Sequence, residues 1–407
     1  MSLSHNPSVT TNGLVMYADM TNTKKSWLGQ PTINQFGIPT PDASGYVTFP
    51  VQGTSGFQRI YSGTYGGYEI QPTDIVYKYV LGAGPTACHY HGYTINVTTG
   101  QTPTWSFDYY IDPSTTGYPV TNYLANMESS INVGGALTDP TPSIIGVWKR
   151  ATQTSNPATS NGTFNAYLYP GACGTQLATG GFILYKNPQV EFNSFATPFV
   201  AGTRASTGAI VDLTGQNTLT ATSLTYASDN TSFSFNGSSS GVQSQSTTIS
   251  FASGVTMEAV FKSTDLASRA QGILDFVGAG SQGASNYIDI YLPGNGKVRW
   301  EVIANYPNGN ISLTSYYSAT TLANNTWYHI CCTQTTAGAG VIYINGVSDA
   351  TATFTSPLYG TITSNIRIGL YAGYFSGNIP VAKLYNRALT ASEVNQNFNA
   401  LRGRYSL

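Results

Sequence analysis

The sequence predicts an all-β protein: two antiparallel β-sandwiches in tandem, a jelly roll and then a second sandwich, closed by one short C-terminal helix. Three observations carry this. Apolar and polar residues alternate in short runs broken by Gly, Pro, Asn and Thr, at roughly the 8–12-residue spacing of sandwich strands. Residues 326–346, TWYHICCTQTTAGAGVIYING, read as two strands and the turn that follows them. Only the last stretch, from Thr390 onward, has the periodicity and capping of a helix.

Residues 327–333 and 341–345 are the two strands. Alternation puts Tyr328, Ile330 and Cys332 on one face and Trp327, His329, Cys331 and Thr333 on the other. Asn345-Gly346 supplies the positive φ angles of a tight turn, and residues 347–354 run back as a third strand. Such a meander needs a second sheet over its apolar face.

Taken in order, residues 1–41 read as an arm with a short strand after Gly13 and an exposed-looking Trp27. Leu14, Met16 and Trp27 are expected to lie against a neighbouring chain, an unpaired edge put to use in assembly. Residues 42–203 form the first sandwich, with Trp105, Phe107 and Tyr109 on one buried face and Ile75, Tyr77, Tyr79 and Leu81 on another. A small, polar stretch near 200–208 reads as a linker, and residues 204–407 form the second sandwich. At the end, Thr390 and Glu393 make a capping box, and Leu389 with Val394 a hydrophobic staple. Val394, Phe398 and Leu401 then form a docking stripe, and Gly403 stands where a helix ends.

Of the 407 residues only 9% are charged, against roughly 25% in ordinary soluble proteins. With 43 Gly and 29 Tyr, the surface bonds water through hydroxyls and amides. A net charge of −1 excludes an electrostatic nucleic-acid footprint, and no apolar run is long enough for a membrane span. The first residues lack the pattern of a secretory signal. An extracellular composition without an export signal suits a virion protein, made in the cytoplasm and released by lysis. Four Cys are too few for a disulfide framework, and Cys331 and Cys332 read as small buried hydrophobes.

Three separated motifs resemble the laminin-G-like, concanavalin A-like lectin/glucanase domain over roughly residues 206–407. They are Trp327-Tyr-His-Ile, Tyr343-Ile-Asn-Gly, and the run from Gly377-Asn-Ile-Pro-Val-Ala-Lys-Leu-Tyr through Leu389-Thr-Ala-Ser-Glu. The ending Phe398-Asn-Ala-Leu-Arg-Gly-Arg-Tyr is similar to versions of that domain in structural proteins of tailed phages, notably cyanophages. Asn187-Pro-Gln-Val-Glu and Phe195-Ala-Thr-Pro-Phe resemble the close of a carbohydrate-binding-module-like jelly roll over about 42–200. The resemblance implies a non-enzymatic virion structural protein, a fibre, appendage or capsid-decorating protein on the particle exterior, touching host glycans. The alternative is a cell-surface or secreted lectin-like protein.

The glucanase pattern Glu-x-Asp-x-x-Glu occurs at none of the six Glu, so no catalytic residue is assigned. Sugar binding needs exposed aromatic faces and polar loops, and Tyr65, Tyr68, Tyr371, Tyr374 and Phe375 sit in loop-like surroundings. The alternative is that they pack at subunit contacts or cap the sandwich. The resemblance also implies Ca²⁺ at a rim between sheets, with Asp265, Asp275 and Asp289 as candidates against a reading as solvated carboxylates. His89 and His91 share a strand face and can begin a metal site, or be ordinary polar surface. The expected partners are further copies of the chain, as a homotrimer, other capsid or tail proteins, and host surface polysaccharide. Neither nucleic acid nor membrane is expected.

Overall fold

The structure is a computed structural model. It describes the chain except residues 1–7, 23–24, 30, 53–56, 81–88, 116–122, 139–143, 172–179, 227–232, 279–286, 306–310, 355–359 and 371–372. The chain is mostly strand and divides into two compact units: Thr32–Arg204, and Ala205–Leu407 together with the segment that ends at Pro31.

Unit Thr32–Arg204 holds two five-stranded antiparallel sheets. In one, Trp148–Thr154, Thr104–Ile111, Phe182–Glu191, Val76–Val80 and Phe57–Ile60 lie side by side. In the other, His89–Val97 and Gly162–Gly171 are central, flanked by Tyr123–Glu128, Gly135–Thr138 and Val51–Gln52. Alternation does what the sequence predicts. Trp105, Phe107 and Tyr109 point inward beside Tyr185, Tyr77 and Phe57, and the second sheet contributes Ile95, Phe164 and Leu168. The core is aromatic, with most neighbouring rings meeting edge to face, as at Phe57–Tyr79 and Phe49–Tyr77. His91 is not a surface ligand: it is buried against Phe49 and Phe57, while the side chain of His89 lies outside the described residues.

The other unit is built on two eight-stranded antiparallel sheets. One is centred on Val255–Ser263, between Tyr328–Gln334 and Ser376–Tyr385; the other is centred on Gln271–Gly278, between Tyr287–Leu292 and Thr361–Ile368. Met257, Ala259, Phe261, Ile330, Cys332 and Ile342 form the inward face of the first sheet. Leu274, Phe276, Ile288, Ile290, Trp300 and Val302 form that of the second. The meander follows its sequence reading: Asn345 (φ 50°) and Gly346 (φ 77°) make the turn between Ala339–Ile344 and Val347–Thr353. A Cβ at Gly346 would lie 2.7 Å from the Phe398 ring, so close packing and the positive φ both require glycine there.

The helix Ala391–Tyr405 packs on the outer face of the first sheet, opposite its core face. Thr390 and Glu393 form the capping box, and Leu389 shares a cluster with Val394. Its C-terminus differs from expectation. Gly403 stays helical, and Ser406 takes the left-handed cap conformation, its N–H donating to the Arg402 carbonyl. The buried stripe is Val394, Asn397, Leu401 and Tyr405, with Phe398 half-buried at its margin beside His329.

The N-terminal segment is not an unpartnered arm. Leu14–Asp19 pairs antiparallel with the second half of Ser376–Tyr385, Leu14 opposite Tyr385 and Asp19 opposite Val381. Met16 and Trp27 are fully buried within their own chain, and Leu14 packs on the cluster of Cys331, Tyr343 and Val394. Arg404 grips Asp19 with two hydrogen bonds at 2.6 and 2.8 Å. The edge expected to seek a neighbouring chain finds its partner some 360 residues later in the same one.

Candidate functional site

In unit Thr32–Arg204, the face of the Thr104–Ile111 sheet that points away from the core carries a second, smaller aromatic cluster. Strand alternation turns Asp108 and Tyr110 outward, opposite Phe107 and Tyr109. Register sets Trp148 beside Tyr110 and Arg150 beside Asp108 on one flank, with Leu184 and Lys186 on the other. Over them folds the hairpin of Thr64–Tyr65 and Tyr68–Glu69, turned by Gly66 (φ 55°) and Gly67 (φ 78°). A Cβ on Gly66 would stand 2.9 Å from the Gly146 carbonyl and 3.0 Å from the Tyr110 ring, so only glycine lets the hairpin lie this close.

The two hairpin tyrosines take different roles. Tyr65 anchors: its ring packs on Tyr110 and Phe182, and its carbonyl accepts from Trp148 Nε1 at 2.8 Å. Tyr68 lines an open cleft of about 480 Å³ with Trp148, Asp108, Arg150, Lys186 and the backbone at Gly66 and Gly67. Its ring meets Trp148 edge to face at 5.9 Å. The Lys186 ammonium lies 3.7 Å from the Tyr68 ring centre and 5.1 Å from that of Trp148, a cation–π stack. Asp108 is bracketed by Arg150 at 3.1 Å and Lys186 at 3.5 Å. Burial and the hydrogen bond from Tyr68 Oη to Asp74 at 2.8 Å push the phenol up to about 12, so the hydroxyl stays protonated.

In the other unit, one polar row crosses seven strands. Thr220, Gln243, Arg367, Asp275, Asp289, Glu301 and Ser315 stand side by side in register, all on the sheet face opposite Leu274, Ile288 and Trp300. The exposed end of the row opens into a groove of about 630 Å³ lined by Thr220, Thr222, Gln243, Asn365 and Tyr374. Its middle is buried: Asp275, Asp289 and Glu301 have almost no exposed surface. Arg299 contacts Glu301, and Arg367 stands 3.7 Å from Asp275. Among the described residues, none donates a hydrogen bond to either carboxylate oxygen of Asp275. Burial raises both Asp275 and Asp289 well above the usual carboxylate range, and the Glu301 and Asp275 charges push Asp289 further.

Of the residues singled out from sequence, Tyr68 and Tyr374 line clefts and Tyr65 supports one. Phe375 does not: it is wholly buried between Phe235 and Phe261, inward because it immediately precedes a core strand. Tyr371 lies outside the described residues. Of the calcium candidates, Asp275 and Asp289 are cross-strand neighbours and Asp265 stands apart from them. Asp265 closes its own turn through Ser268 and pairs with Arg269, while Asp275 and Asp289 are strand residues in mid-sheet rather than at a rim. Among the described residues, no three His, Cys, Asp or Glu side chains are placed to hold a metal ion. Trp148, Asp108, Arg150 and Lys186 escaped the sequence reading, although alternation alone sets Trp148 and Arg150 on one face and Asp108 opposite the core aromatics.

With the geometry in place, residues 236–395 match the Laminin_G_3 family, described as the concanavalin A-like lectin/glucanases superfamily. The C-terminal region contains a concanavalin A-like lectin domain. The polar row from Gln243 to Arg367 lies within the matched residues, whereas its end at Thr220 and the aromatic cleft lie outside them. Solved structures similar to the chain include the binding domain of botulinum neurotoxin serotype G, at 16% identity and TM-score 0.38, covering 47% of this chain and 48% of that one. Another is the binding domain of Paraclostridial Mosquitocidal Protein 1, at 20% identity and TM-score 0.37, covering 47% and 49%. The matches thus span about half the length of those structures. No curated protein matches the chain in sequence.

Proposed function

We propose that the chain is a non-enzymatic glycan-binding structural protein, displayed on the exterior of a phage particle and adhering to surface polysaccharide of the host. The observation that carries the binding half is the Tyr68–Trp148 cleft. Aromatic rings beside convergent polar groups, in a cleft the size of a few sugar rings, are what pyranose recognition requires. The lectin-like fold of residues 236–395 is in keeping with it. A binding rather than hydrolytic role is supported by Asp108, the single carboxylate among the described residues that line the cleft: it is already bracketed by two cations, while glycoside hydrolysis needs two carboxyl groups flanking the bond. The virion half rests on the charge-poor composition and on the resemblance of the C-terminal motifs to phage structural proteins. A homotrimer belongs to the same proposal through the near-zero net charge alone, since the N-terminal segment is satisfied within its own chain.

Two experiments test this. A glycan array probed with the intact chain should show retention that Tyr68→Ala and Trp148→Ala each abolish, measured below the temperature at which either variant melts. Retention unaffected by Trp148→Ala and Tyr68→Ala would remove the cleft from the reading. Mass spectrometry of purified particles should find the chain, and light scattering should give three times its mass; particles lacking it would sink the virion role.

A further inference from the structure

The cleft's charge points to the kind of sugar it takes. Three ionisable side chains line up in register across neighbouring strands: Arg150, Asp108, Lys186. Two are cations and one is an anion, so the row carries one surplus positive charge in a protein with only 9% charged residues. The surplus is held in place. Lys186 is 11% exposed, its ammonium clasped by the Tyr68 and Trp148 rings and by Asp108, so it cannot swing into solvent. Arg150 is 38% exposed and engages Asp108 through one nitrogen only, leaving the other side of its guanidinium fork for a second acceptor. Tyr68 adds no negative charge, because its hydroxyl stays protonated; Asp74, the carboxylate it donates to, is buried and accepts from the Gln71 N–H and the Asn187 amide rather than from Arg150 or Lys186.

We propose that this cleft binds an acidic saccharide, a pyranose bearing a carboxylate, with the ring against Tyr68 and Trp148 and the carboxylate on Arg150 and Lys186. This rests on the glycan reading above and narrows it. A neutral sugar's hydroxyls need acceptors as well as donors, yet the one carboxylate among the described residues that line the cleft is already engaged by two cations. A carboxylate ligand instead completes an alternating row: it supplies the second anion that two cations facing one Asp lack. Aromatic contact supplies the ring's share of binding and the surplus charge selects among rings.

The test uses the full chain and three polymers, polygalacturonate, alginate and polysialic acid, each with its carboxyl-reduced form, in which the rings remain and the charge is gone. The expected result is retention of at least one acidic polymer and loss of retention for its reduced form. Arg150→Gln should weaken the retained polymer about tenfold, the loss of one charge-assisted hydrogen bond. Asp108→Asn should strengthen it, because it removes the competing anion; at a neutral-sugar site the same change deletes an acceptor and weakens binding. Equal retention of acidic and reduced forms, both lost in Trp148→Ala, would overturn the inference and leave the glycan reading standing. If neither the polymers nor any neutral glycan on the array is retained, both fall. Arg150 and Asp108 are partly exposed, so unchanged melts for their variants separate lost binding from lost folding.

Discussion

The Asn397 side-chain amide donates to Glu258 Oε2 at 2.6 Å, joining the C-terminal helix to the central strand of the sheet beneath it. Glu258 also accepts from Lys383 Nζ at 2.7 Å and lies 3.0 Å from His329 Nε2, and all four side chains are fully buried. The same Asn397 donates to the Tyr385 hydroxyl, and its carbonyl oxygen accepts from the Thr10 N–H. One buried polar node therefore ties helix, sheet and N-terminal segment together. Asn397→Leu is expected to cost about 1–3 kcal/mol, since it strips a donor from a buried carboxylate. Glu258→Ala should cost about 3–5 kcal/mol by leaving the Lys383 ammonium buried without its counter-charge. Replacing Glu258 and Lys383 together by Met should cost less than Glu258→Ala alone. Urea melts of the four proteins decide this; a double variant weaker than the single one would contradict the pairing.

The node also sets an acid limit. Burial disfavours the Glu258 carboxylate, but the Lys383 charge, the His329 hydrogen bond and their combined field outweigh it and hold the group down at about 2. The unfolded chain takes up that proton first as pH falls, near the ordinary value of 4.5. The stability Glu258 lends is therefore complete above about pH 4.5 and drains away toward about pH 2. Glu393, also held near 2 by its hydrogen bond from Arg387, acts in the same window, with a smaller share because it is partly exposed. Denaturant melts across this range should show the slope, and Glu258→Gln should flatten it while lowering stability above it. An unchanged slope in that variant would remove Glu258 as its source.

Asp289 works with the opposite sign. Its folded-state carboxyl is raised by burial and by the neighbouring Glu301 and Asp275, so the native state keeps a proton the unfolded chain has lost. Stability must then fall as pH rises above the ordinary Asp value of 3.8. Asp289→Asn, which mimics the protonated form, should match the wild type in acid and exceed it at neutral pH, by about 1–3 kcal/mol. A variant less stable than wild type at every pH would mean the carboxylate is wanted as a charge.

The two sandwiches, the Asn345-Gly346 turn and the capped helix were legible because each is a local pattern: period-two alternation, a turn dipeptide, a capping box. What escaped depends on strands far apart in sequence. Nothing near Asp275 announces that Asp289 and Arg367 will stand on either side of it, and an Asp on a strand reads as solvated until the register is known. Asn397 reads as a polar helix residue for the same reason, although it is the buried one and Phe398 the marginal one. Trp148 and Lys186 were within reach, since alternation marks their faces, but the hairpin that makes a cleft of that face comes from residues 64–69. The arm failed as a reading because a lone strand at a chain end says nothing about which edge will receive it.

That strand supplies the last prediction. Leu14–Asp19 covers the outer edge of Ser376–Tyr385 from Val381 to Tyr385, and Met16, Ala18 and Met20 have no exposed surface. Tyr17 N–H donates to Asp212 at 2.8 Å, and Asp19 receives Arg404 from the helix, so strand, loop and helix are braced at once. An arm that served only to attach the protein elsewhere would tolerate substitution, with changes within about 0.5 kcal/mol. A core strand would not: Met16→Ala should cost about 2–5 kcal/mol, and Trp27→Ala about 3–5 kcal/mol. Removing the whole segment to Pro31 should expose a hydrogen-bonding edge and an apolar strip together, and the remaining chain should aggregate rather than melt cooperatively. Calorimetry on Met16→Ala reads the first effect and sedimentation of the truncated chain the second. A truncated chain that stays monodisperse and melts at the wild-type temperature would return these residues to the role of an arm.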